Sequence, residues 1–462
     1  MAKNKHVPVN EQDPEARIKN FEEVVLGYSE TEAVQEAKRC LQCKLKPCVN
    51  GCPIRIGIPE FIKLIAQNDF IGAGLKIKEC HLFPSVCGRV CPQELQCEKS
   101  CTLNKVGESI AIGTLERFVG DYLNNIKYQR PLELRQKIGK KIAIIGTGPS
   151  GLTVASELIL KGFEITMFEA LHKVGGVLTY GIPDFRLPKQ VLQKELDQLE
   201  KYGVKIVKNF VVGKTATVEE LMKEEKFDAV FIGSGAGLPT FMEIPGEYST
   251  GVYSANEYLT RVNLMRAHTT DAKTSIIRGE TVVVVGGGNI AMDAARTAVR
   301  LGAKRTILVY RRSEKEMPAR KEEVRHAKEE GIEFQLLTNP IEIMENDEHM
   351  VKGIRCVKMQ LNDTDMAVER RGVSVIEDSA FDILCDVVVM AIGNKSNPLI
   401  QSTTDDLKVS PKGTILSSTG DGRTSKPFVY AGGDVLTGAA TVISAIVTGK
   451  RAAQSIMEDL SV

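Results

Sequence analysis

Residues 141–170 read KIAIIGTGPSGLTVASELILKGFEITMFEA, and this stretch decides the fold of the larger part of the chain. An apolar run, a glycine-rich turn, a helix-forming segment and a second apolar run follow one another, which predicts a strand–turn–helix–strand unit. Gly146 allows the tight turn, Gly148 lets a pyrophosphate approach the backbone, and Gly151 lets the helix pack closely on the strand. We predict that the turn contacts a dinucleotide through Gly146, Gly148, Pro149, Ser150 and Gly151.

An acidic residue closes the second strand of this unit. Glu169 lies 23 residues after Gly146, where a carboxylate can accept hydrogen bonds from a ribose diol. Strand, helix and acid are therefore all in place around the glycines. The alternative interpretation is a glycine-rich turn that binds nothing.

The same pattern recurs in residues 281–312, TVVVVGGGNIAMDAARTAVRLGAKRTILVYRR. Its second strand ends in Arg311 and Arg312 instead of an acid, and guanidinium groups bind a 2′-phosphate that a carboxylate would repel. Arg320 is predicted as a third cation. We therefore predict NADP(H) rather than NAD(H), against the alternative of a solvated basic turn. The predicted contacts in the turn are Gly286, Gly288, Asn289, Ile290 and Ala291.

Two dinucleotide sites on one chain indicate a resident nucleotide and a visiting one, and we assign resident FAD to the first site. The segment 173–183 offers a flexible wall for the flavin ring through Gly175, Gly176 and Gly181. Near the C-terminus, Gly433 and Asp434 are predicted to bond the ribityl and phosphate region. Ala440 and Thr441 begin a predicted helix whose N-terminus places partial positive charge near the flavin.

These assignments predict an α/β protein with two Rossmann-like domains, one inserted in the other, behind a helical, cysteine-rich domain. Residues Asn124 to Lys141 read as a linker, and Ser29 with Glu32 forms a predicted capping box in the helical part. The predicted boundaries are 1–128 for the helical domain, which its crowded cysteines indicate to be an iron–sulfur domain, 129–270 and 395–462 for the FAD domain, and 271–394 for the NADP(H) domain.

Nine of the eleven cysteines lie between Cys40 and Cys101. Such crowding without a secretion signal favours a metal or redox centre over disulfides. The first group follows C-x2-C-x4-C-x3-C-P, and the pattern is similar to the ferredoxin run for [4Fe–4S] clusters. A second group, CGRVCPQELQCEKSC in residues 87–101, supplies ligands for a second cluster. Zinc is the alternative, since C-x2-C is also a zinc spacing.

Composition excludes several other classes of function. The 462 residues contain 60 Lys and Arg against 59 Asp and Glu, so no general field attracts nucleic acid or an anionic membrane. No apolar run approaches a membrane span, and the first twenty residues lack the apolar core of a signal peptide. A cytoplasmic protein is expected.

Nearly the whole chain resembles the small subunit of NADPH-dependent glutamate synthase and its relatives, including the large subunit of NADH-dependent reduced ferredoxin:NADP oxidoreductase. The resemblance is carried by CLQCKLKPCVNGCP, FPSVCGRVCPQ, IGTLERFVGD, GTGPSGL, GGVLTYGIP, VVVGGGNIAMDAART, VYRRSEKEMPAR and YAGGDVLTGAATVISAI. The N-terminal module also resembles that of dihydropyrimidine dehydrogenase.

The resemblance implies interleaved cluster ligation. One cluster would be held by Cys40, Cys43, Cys48 and Cys101, and the other by Cys52, Cys91, Cys97 and a non-cysteine ligand at Glu116. For Glu116 the alternative is an ordinary glutamate on a helix surface. His81 is close enough in sequence to be considered as a ligand, and a structural histidine is its simpler interpretation. Cys80 and Cys87 become spare thiols, and Cys356 and Cys385 are expected to be buried.

The resemblance implies an oxidoreductase that exchanges hydride between NADP(H) and FAD and relays single electrons through two [4Fe–4S] clusters to a partner redox subunit, with no catalytic side chain required. As a transhydrogenase subunit it would couple NADP(H) to ferredoxin through a small flavin and iron–sulfur subunit. As a glutamate synthase small chain it would supply electrons from NADPH to a large subunit that carries FMN and a glutaminase centre. A non-enzymatic iron–sulfur scaffold or redox sensor is the alternative from a different class.

Overall fold

The computed structural model describes residues 5–128, 136–362 and 371–460. The α-helices in these ranges are α1 Pro14–Arg17, α2 Glu30–Ala37, α3 Pro47–Gly51, α4 Ile58–Ala66, α5 Phe70–Lys78, α6 Pro84–Val90, α7 Ile112–Asn125, α8 Pro149–Ile159, α9 Val177–Tyr180, α10 Lys189–Lys201, α11 Val218–Lys223, α12 Ala255–Asn263, α13 Asn289–Arg300, α14 Lys321–Glu329, α15 Leu399–Ser402, α16 Asp434–Thr437 and α17 Val442–Asp459. Short 3₁₀ helices cover Gln93–Leu95, Thr102–Lys105 and Glu314–Glu316.

The strands are β1 Asn10–Glu11, β2 Val25–Gly27, β3 Lys141–Ile145, β4 Glu164–Glu169, β5 Lys205–Lys208, β6 Ala229–Ile232, β7 Leu238–Pro239, β8 Val252–Ser254, β9 Thr281–Val285, β10 Arg305–Tyr310, β11 Glu333–Leu336, β12 Thr338–Glu345, β13 Val351–Leu361, β14 Val373–Val375, β15 Phe381–Leu384, β16 Val387–Met390, β17 Asn394–Lys395 and β18 Val429–Ala431. None of the helices in the described ranges is both long enough and apolar enough to span a membrane.

The N-terminal module consists of helices α1 to α7 and one small strand pair, β1 with β2. The predicted capping box is confirmed: the Ser29 side chain accepts from the Glu32 backbone and the Glu32 side chain accepts from the Ser29 backbone. The core of the module is built from helix faces that carry Phe61, Ile65 and Leu115, all fully buried. Most of its cysteines lie in the loops between these helices or at their ends, and Cys87 lies within α6.

The first Rossmann-like sheet is parallel, with strand order β18-β6-β3-β4-β5. Strands β3 to β6 belong to residues 141–232, but β18 comes almost 200 residues later and pairs with β6 through Val429 and Val230. The intervening chain builds the second parallel sheet, with order β11-β10-β9-β16-β8. One Rossmann-like domain is therefore inserted in the other, as the sequence predicted.

Strand β8 lies in the second sheet, where Val252 pairs with Val388. The predicted boundary at residue 271 assigns this strand and helix α12 to the first domain, and the structure corrects this assignment. The sequence of such a short strand does not indicate which strand it pairs with. We propose that the chain crosses between the domains at β7 and β17, which pair through Pro239 and Asn394. The boundary predicted between 128 and 129 and part of the predicted linker lie outside the described residues.

Buried ion pairs fasten the modules to one another. Arg186, which follows the first domain's glycine-rich wall, pairs with Asp293 at 2.7 Å and Glu323 at 2.8 Å in the inserted domain. Arg17 of the N-terminal module is 1% exposed and pairs with Glu330 at 2.8 Å. Because charges are buried in pairs, loss of one partner would leave the other charge uncompensated.

Candidate functional site

The first glycine-rich turn joins β3 to α8. Gly146 has φ +94°, a conformation that L side chains rarely adopt. A Cβ on Gly151 would collide with the Gly146 carbonyl oxygen and lie 3.2 Å from Ile144 Cγ2. The turn therefore needs glycine at both positions to bring the start of α8 onto the strand.

Two features of this turn fit a pyrophosphate. A Cβ on Gly148 would meet no atom of the described residues within 4 Å, apart from its chain neighbours, so open space lies beside the backbone at the start of α8. Ser150 is 4% exposed, and its hydroxyl has no hydrogen-bond partner among the residues that the structure describes. Gly176 of the predicted flavin wall approaches the same turn, since a Cβ there would lie 2.8 Å from Gly148 Cα. Pro149 is the first residue of α8, and Gly181 follows α9.

Glu169 lies at the end of β4, but its carboxylate is shared with the turn. Its Oε2 accepts from the Thr147 backbone at 3.0 Å and from the Thr147 hydroxyl. The Thr147 hydroxyl in turn accepts from the Gly175 backbone at 3.1 Å. Thr147 thus links the predicted ribose-binding acid to the predicted flavin wall, a role that sequence reasoning missed; the only signal in the sequence was a hydroxyl residue between two glycines of the turn.

The C-terminal segment reaches the same place. A Cβ on Gly433 would lie 2.9 Å from Ser150 Cβ, so Gly433 and Asp434 are neighbours of the first turn. Burial raises the pKa of Asp434 to about 6, and its Oδ1 accepts from the Ala440 backbone at 3.3 Å. Thr441 caps α17 by accepting from the Ser444 backbone. The predicted FAD residues from three separate stretches are therefore brought together.

The second turn has the same construction in the inserted domain. Gly286 has φ +146°, and a Cβ there would collide with the Ala391 carbonyl oxygen. Within the described ranges, a Cβ on Gly288 would meet only Pro318 Cγ, at 3.8 Å, so this turn also opens onto free space. Asn289 and Ile290 begin α13, followed by the fully buried Ala291. The turn fits the phosphates of a second dinucleotide.

Arg311 and Arg312 follow β10, beside this turn. Arg311 is exposed and makes no hydrogen bond or ion pair with the part of the chain that the structure describes. Arg312 donates from Nε to the Arg371 carbonyl at 2.8 Å. Arg371 itself forms an ion pair with Glu316 at 2.6 Å. The sequence did not predict that Arg371 lies next to Arg312.

Arg320 is not part of this pair, which corrects the prediction of a third phosphate-binding cation. Its guanidinium is buried against the N-terminal module, where it donates to the Arg89 carbonyl at 2.8 Å and to Gln93 Oε1 at 3.0 Å. Its backbone N–H donates to Asn289 Oδ1 at 2.9 Å. The side chain therefore joins the inserted domain to the N-terminal module. This contact could not be predicted from the sequence, where Arg320 is simply a basic residue near Arg311 and Arg312.

The first set of predicted cluster ligands surrounds one apolar cavity. Its cysteines are Cys40, Cys43, Cys48 and Cys101, with Ile58, Ile62 and Ile112 among the other lining residues. Burial raises the pKa of Cys48 to about 11, and the neighbouring Cys40 and Cys101 add to the shift. Four free thiols around an apolar space fit a cationic iron–sulfur centre, because bound metal keeps coordinating thiols deprotonated.

The second predicted set also converges. Burial raises the pKa of Cys52 to about 11, with Glu116 and Cys91 near enough to contribute. Cys97 has a raised pKa for the same reasons, with Cys52, Glu116 and Cys91 among its neighbours. Glu116 is 5% exposed, so the alternative of a helix-surface glutamate is wrong. Three thiols and one buried carboxylate therefore share this part of the module.

The remaining thiols and His81 lie outside these two sets. His81 is buried and contacts Glu116 and Cys87. Cys87 is fully buried beside Cys91, and Cys80 is partly buried. Cys356 and Cys385 are buried in the inserted domain, as expected.

Two family models cover most of the chain. Residues 17–128 match the model described as dihydropyrimidine dehydrogenase domain II, 4Fe-4S cluster. Residues 140–450 match the model described as pyridine nucleotide-disulphide oxidoreductase. The cysteine-bearing module and the two Rossmann-like domains are thus recognised separately.

Individual proteins are similar to most of this chain. The chain is 34% identical to the glutamate synthase [NADPH] small chain of Escherichia coli, over 96% of this chain and 94% of that protein. It is 37% identical to the NADP(+)-dependent formate dehydrogenase subunit beta of Moorella thermoacetica, over 89% of this chain and 59% of that protein. FprA of Mycobacterium tuberculosis in complex with NADPH has the same fold, with a TM-score of 0.58, 20% identity and coverage of 70% and 85% of the two chains.

Proposed function

We infer the function of this chain from the premise that it belongs to the family of the small chain of NADPH-dependent glutamate synthase. It is an NADP-dependent oxidoreductase that uses FAD and [4Fe–4S] cluster chemistry, and it is a subunit of the kind that works with a partner. The proposal that follows concerns the path of the electrons through its residues and the partner that receives or supplies them.

Bound FAD would exchange hydride with NADP(H) and single electrons with iron–sulfur clusters, so the protein need only bind, orient and insulate. In our proposal the open backbone at Gly148 and the unpaired Ser150 hydroxyl hold the FAD pyrophosphate. Gly288 and α13 hold that of NADP(H), with Arg311 and Arg312 on the 2′-phosphate. Cys40, Cys43, Cys48 and Cys101 hold one cluster, and Cys52, Cys91, Cys97 and Glu116 the other.

The order of burial carries this proposal. Cys91 lies in the same hydrophobic core as Leu158 and Leu178 of the FAD domain. Cys52 and Cys97 are also buried, but they pack in the core of the N-terminal module, together with Cys40, Cys48 and Cys101 of the first set. All four cysteines of the first set are partly exposed. This order of burial supports the proposed path from the flavin domain through the second set to the first set and the surface.

The surface over the first set has the character of a docking site. Leu41 is 58% and Leu45 87% exposed, and both lie between the cysteines that line the cavity. Lys44 and Lys46 are exposed beside them, although Lys46 is paired with Glu60. Two exposed leucines, one of them between two lysines, favour a partner with an apolar centre and an acidic rim. We call residues 41–46 the exit loop.

An acidic electron carrier such as ferredoxin has this chemistry. We therefore favour a ferredoxin:NADP(H) transhydrogenase complex, with a small flavin and iron–sulfur subunit as the second partner. The sequences of residues 43–53, CKLKPCVNGCP, and of residues 254–265, SANEYLTRVNLM, also resemble that branch of the family more than the glutamate synthase branch. The second candidate is a glutamate synthase small chain, which is supported by the alignment over 94% of such a chain from Escherichia coli.

Anaerobic purification of the complex from its native host separates these two functions. A small flavin and iron–sulfur subunit is expected to co-purify, and ferredoxin reduction by NADPH is expected to fall when Leu45→Glu places a charge on the exit loop. Leu384→Glu is the matched control, because Leu384 is 72% exposed on the inserted domain. Co-purification of a glutaminase-bearing large subunit, or equal activity of the two variants, would contradict the proposal.

A further inference from the structure

His81 forms a buried pair with Glu116, and His81 has no role in the proposed electron path. His81 lies in the loop between α5 and α6, and Glu116 lies on α7. The His81 Nε2 and Glu116 Oε1 atoms are 3.1 Å apart, and the two side chains are only 1% and 7% exposed. A polar contact this deeply buried fixes both side chains, because neither can turn to water without losing its partner.

The surroundings of the ring decide which nitrogen carries the hydrogen. The Phe83 backbone N–H donates to His81 Nδ1 at 3.3 Å, and the Cys87 thiol lies 3.8 Å from the same nitrogen. A backbone amide can only donate, so Nδ1 is the acceptor of the imidazole. The hydrogen is therefore on Nε2, which donates to Glu116 Oε1. One oxygen of the carboxylate is occupied, and Oε2 is left for another bond.

The helices on either side hold this arrangement rigidly. A Cβ on Gly88 would lie 2.5 Å from the Arg117 backbone nitrogen, and one on Gly120 would lie 2.6 Å from the Ser85 backbone nitrogen. Helices α6 and α7 therefore touch backbone to backbone at two points. Cys87 on α6 and Glu116 on α7 each lie next to such a contact, so the helix spacing cannot relax to compensate for a misplaced carboxylate.

We propose that His81 is the positioning residue for Glu116: it holds one carboxylate oxygen so that the other faces the iron site formed with Cys52, Cys91 and Cys97. The inference rests on the proposed role of Glu116 as a cluster ligand. Metal-binding side chains are generally oriented by hydrogen bonds from outside the ligand set, and such bonds also tune the metal. A donor on an anionic ligand withdraws charge and raises the reduction potential of the cluster.

The test compares EPR spectra, midpoint potentials and iron content of the dithionite-reduced full chain. His81→Leu is expected to change the EPR signal of one cluster and lower its potential, while the other cluster and the iron content stay unchanged. His81→Gln keeps an N–H donor and is expected to restore the wild-type signal. His349→Leu is the matched control, because His349 pairs with Glu345 at 2.8 Å on the exposed surface of the inserted domain.

Unchanged EPR signals and potentials in His81→Leu would overturn the inference, as would equal effects of the Leu and Gln variants. If His81→Leu does not fold, His81→Met supplies the same test with an unbranched side chain that cannot donate. Glu116→Ala separates this inference from its premise. If Glu116→Ala leaves both clusters unchanged, the ligand assignment is wrong; if it alters one cluster while His81→Leu does not, only the positioning role is wrong.

Discussion

Arg311→Ala is expected to weaken the preference of the enzyme for NADPH over NADH. Arg311 follows β10 beside the second glycine-rich turn, and its exposed side chain makes no ion pair with the residues that the structure describes. Its guanidinium is thus available to a 2′-phosphate without first breaking another contact. Arg312, in contrast, is anchored by its bond to the Arg371 carbonyl at 2.8 Å.

The size of the effect follows from the exposure of Arg311. A hydrogen bond to a charged group contributes about 1.5–3 kcal/mol when it is shielded from water, and an exposed position favours the lower figure. A loss of about 1.4 kcal/mol corresponds to a tenfold change in binding. We expect NADPH binding to weaken about tenfold, with NADH binding and the thermal stability of the protein unchanged.

The assay is the anaerobic reduction of an artificial dye, with kcat and KM measured for both nucleotides. Arg320→Ala is the matched control: it removes a nearby arginine whose guanidinium bonds Arg89 and Gln93 in another module. This control is expected to lower the melting temperature without altering the NADPH to NADH ratio. If the NADPH to NADH ratio changed in Arg320→Ala and stayed the same in Arg311→Ala, the assignment of Arg311 to the 2′-phosphate would be refuted.

Three further predictions follow from buried or open positions. Gly148→Val is expected to abolish FAD retention because its side chain would enter open space that the pyrophosphate needs, whereas Gly288→Val is expected to keep FAD and lose NADPH binding. Flavin absorbance and NADPH titration check both, and equal FAD loss would contradict the assignment. Burial raises the pKa of Glu195 from 4.5 to about 8, so the folded chain holds a proton that the unfolded chain releases, and stability falls as pH rises between these values. In Glu195→Gln, the free energy of unfolding should fall less steeply with pH, by roughly 1.4 kcal/mol per pH unit. If the melting temperatures of the variant and the wild type changed equally between pH 6 and pH 8, this prediction would be wrong. Arg186→Ala should destabilise the fold by about 3–5 kcal/mol, because Asp293 then lacks its buried partner; an unchanged melting temperature would disprove this.

Local sequence was enough to predict the two Rossmann-like units and their nesting. The requirement for glycine at position 151 is local, because a Cβ there would collide with the Gly146 carbonyl, whereas the atom that a Cβ on Gly286 would meet, the Ala391 carbonyl oxygen, belongs to a distant part of the chain. The capping box at Ser29 is equally local. Features that are fixed within a few residues leave a readable pattern in the sequence.

Contacts between distant segments left no such pattern. Arg320 looks like a phosphate ligand in MPARKEE, but its partners Arg89 and Gln93 are more than 220 residues away. The membership of β8 in the second sheet depends on its pairing with β16, far along the chain. His81 also could not be connected to Glu116 from sequence, because only the packing of α6 on α7 brings them together.

The most direct measurement is the content of iron, acid-labile sulfide, zinc and FAD in the anaerobically purified chain. Two four-iron clusters and one flavin predict about eight iron atoms and eight sulfides per FAD, with no stoichiometric zinc. Zinc in place of iron, or a colourless protein without flavin absorbance, would contradict an electron path from NADP(H) through the flavin domain to the cysteine module.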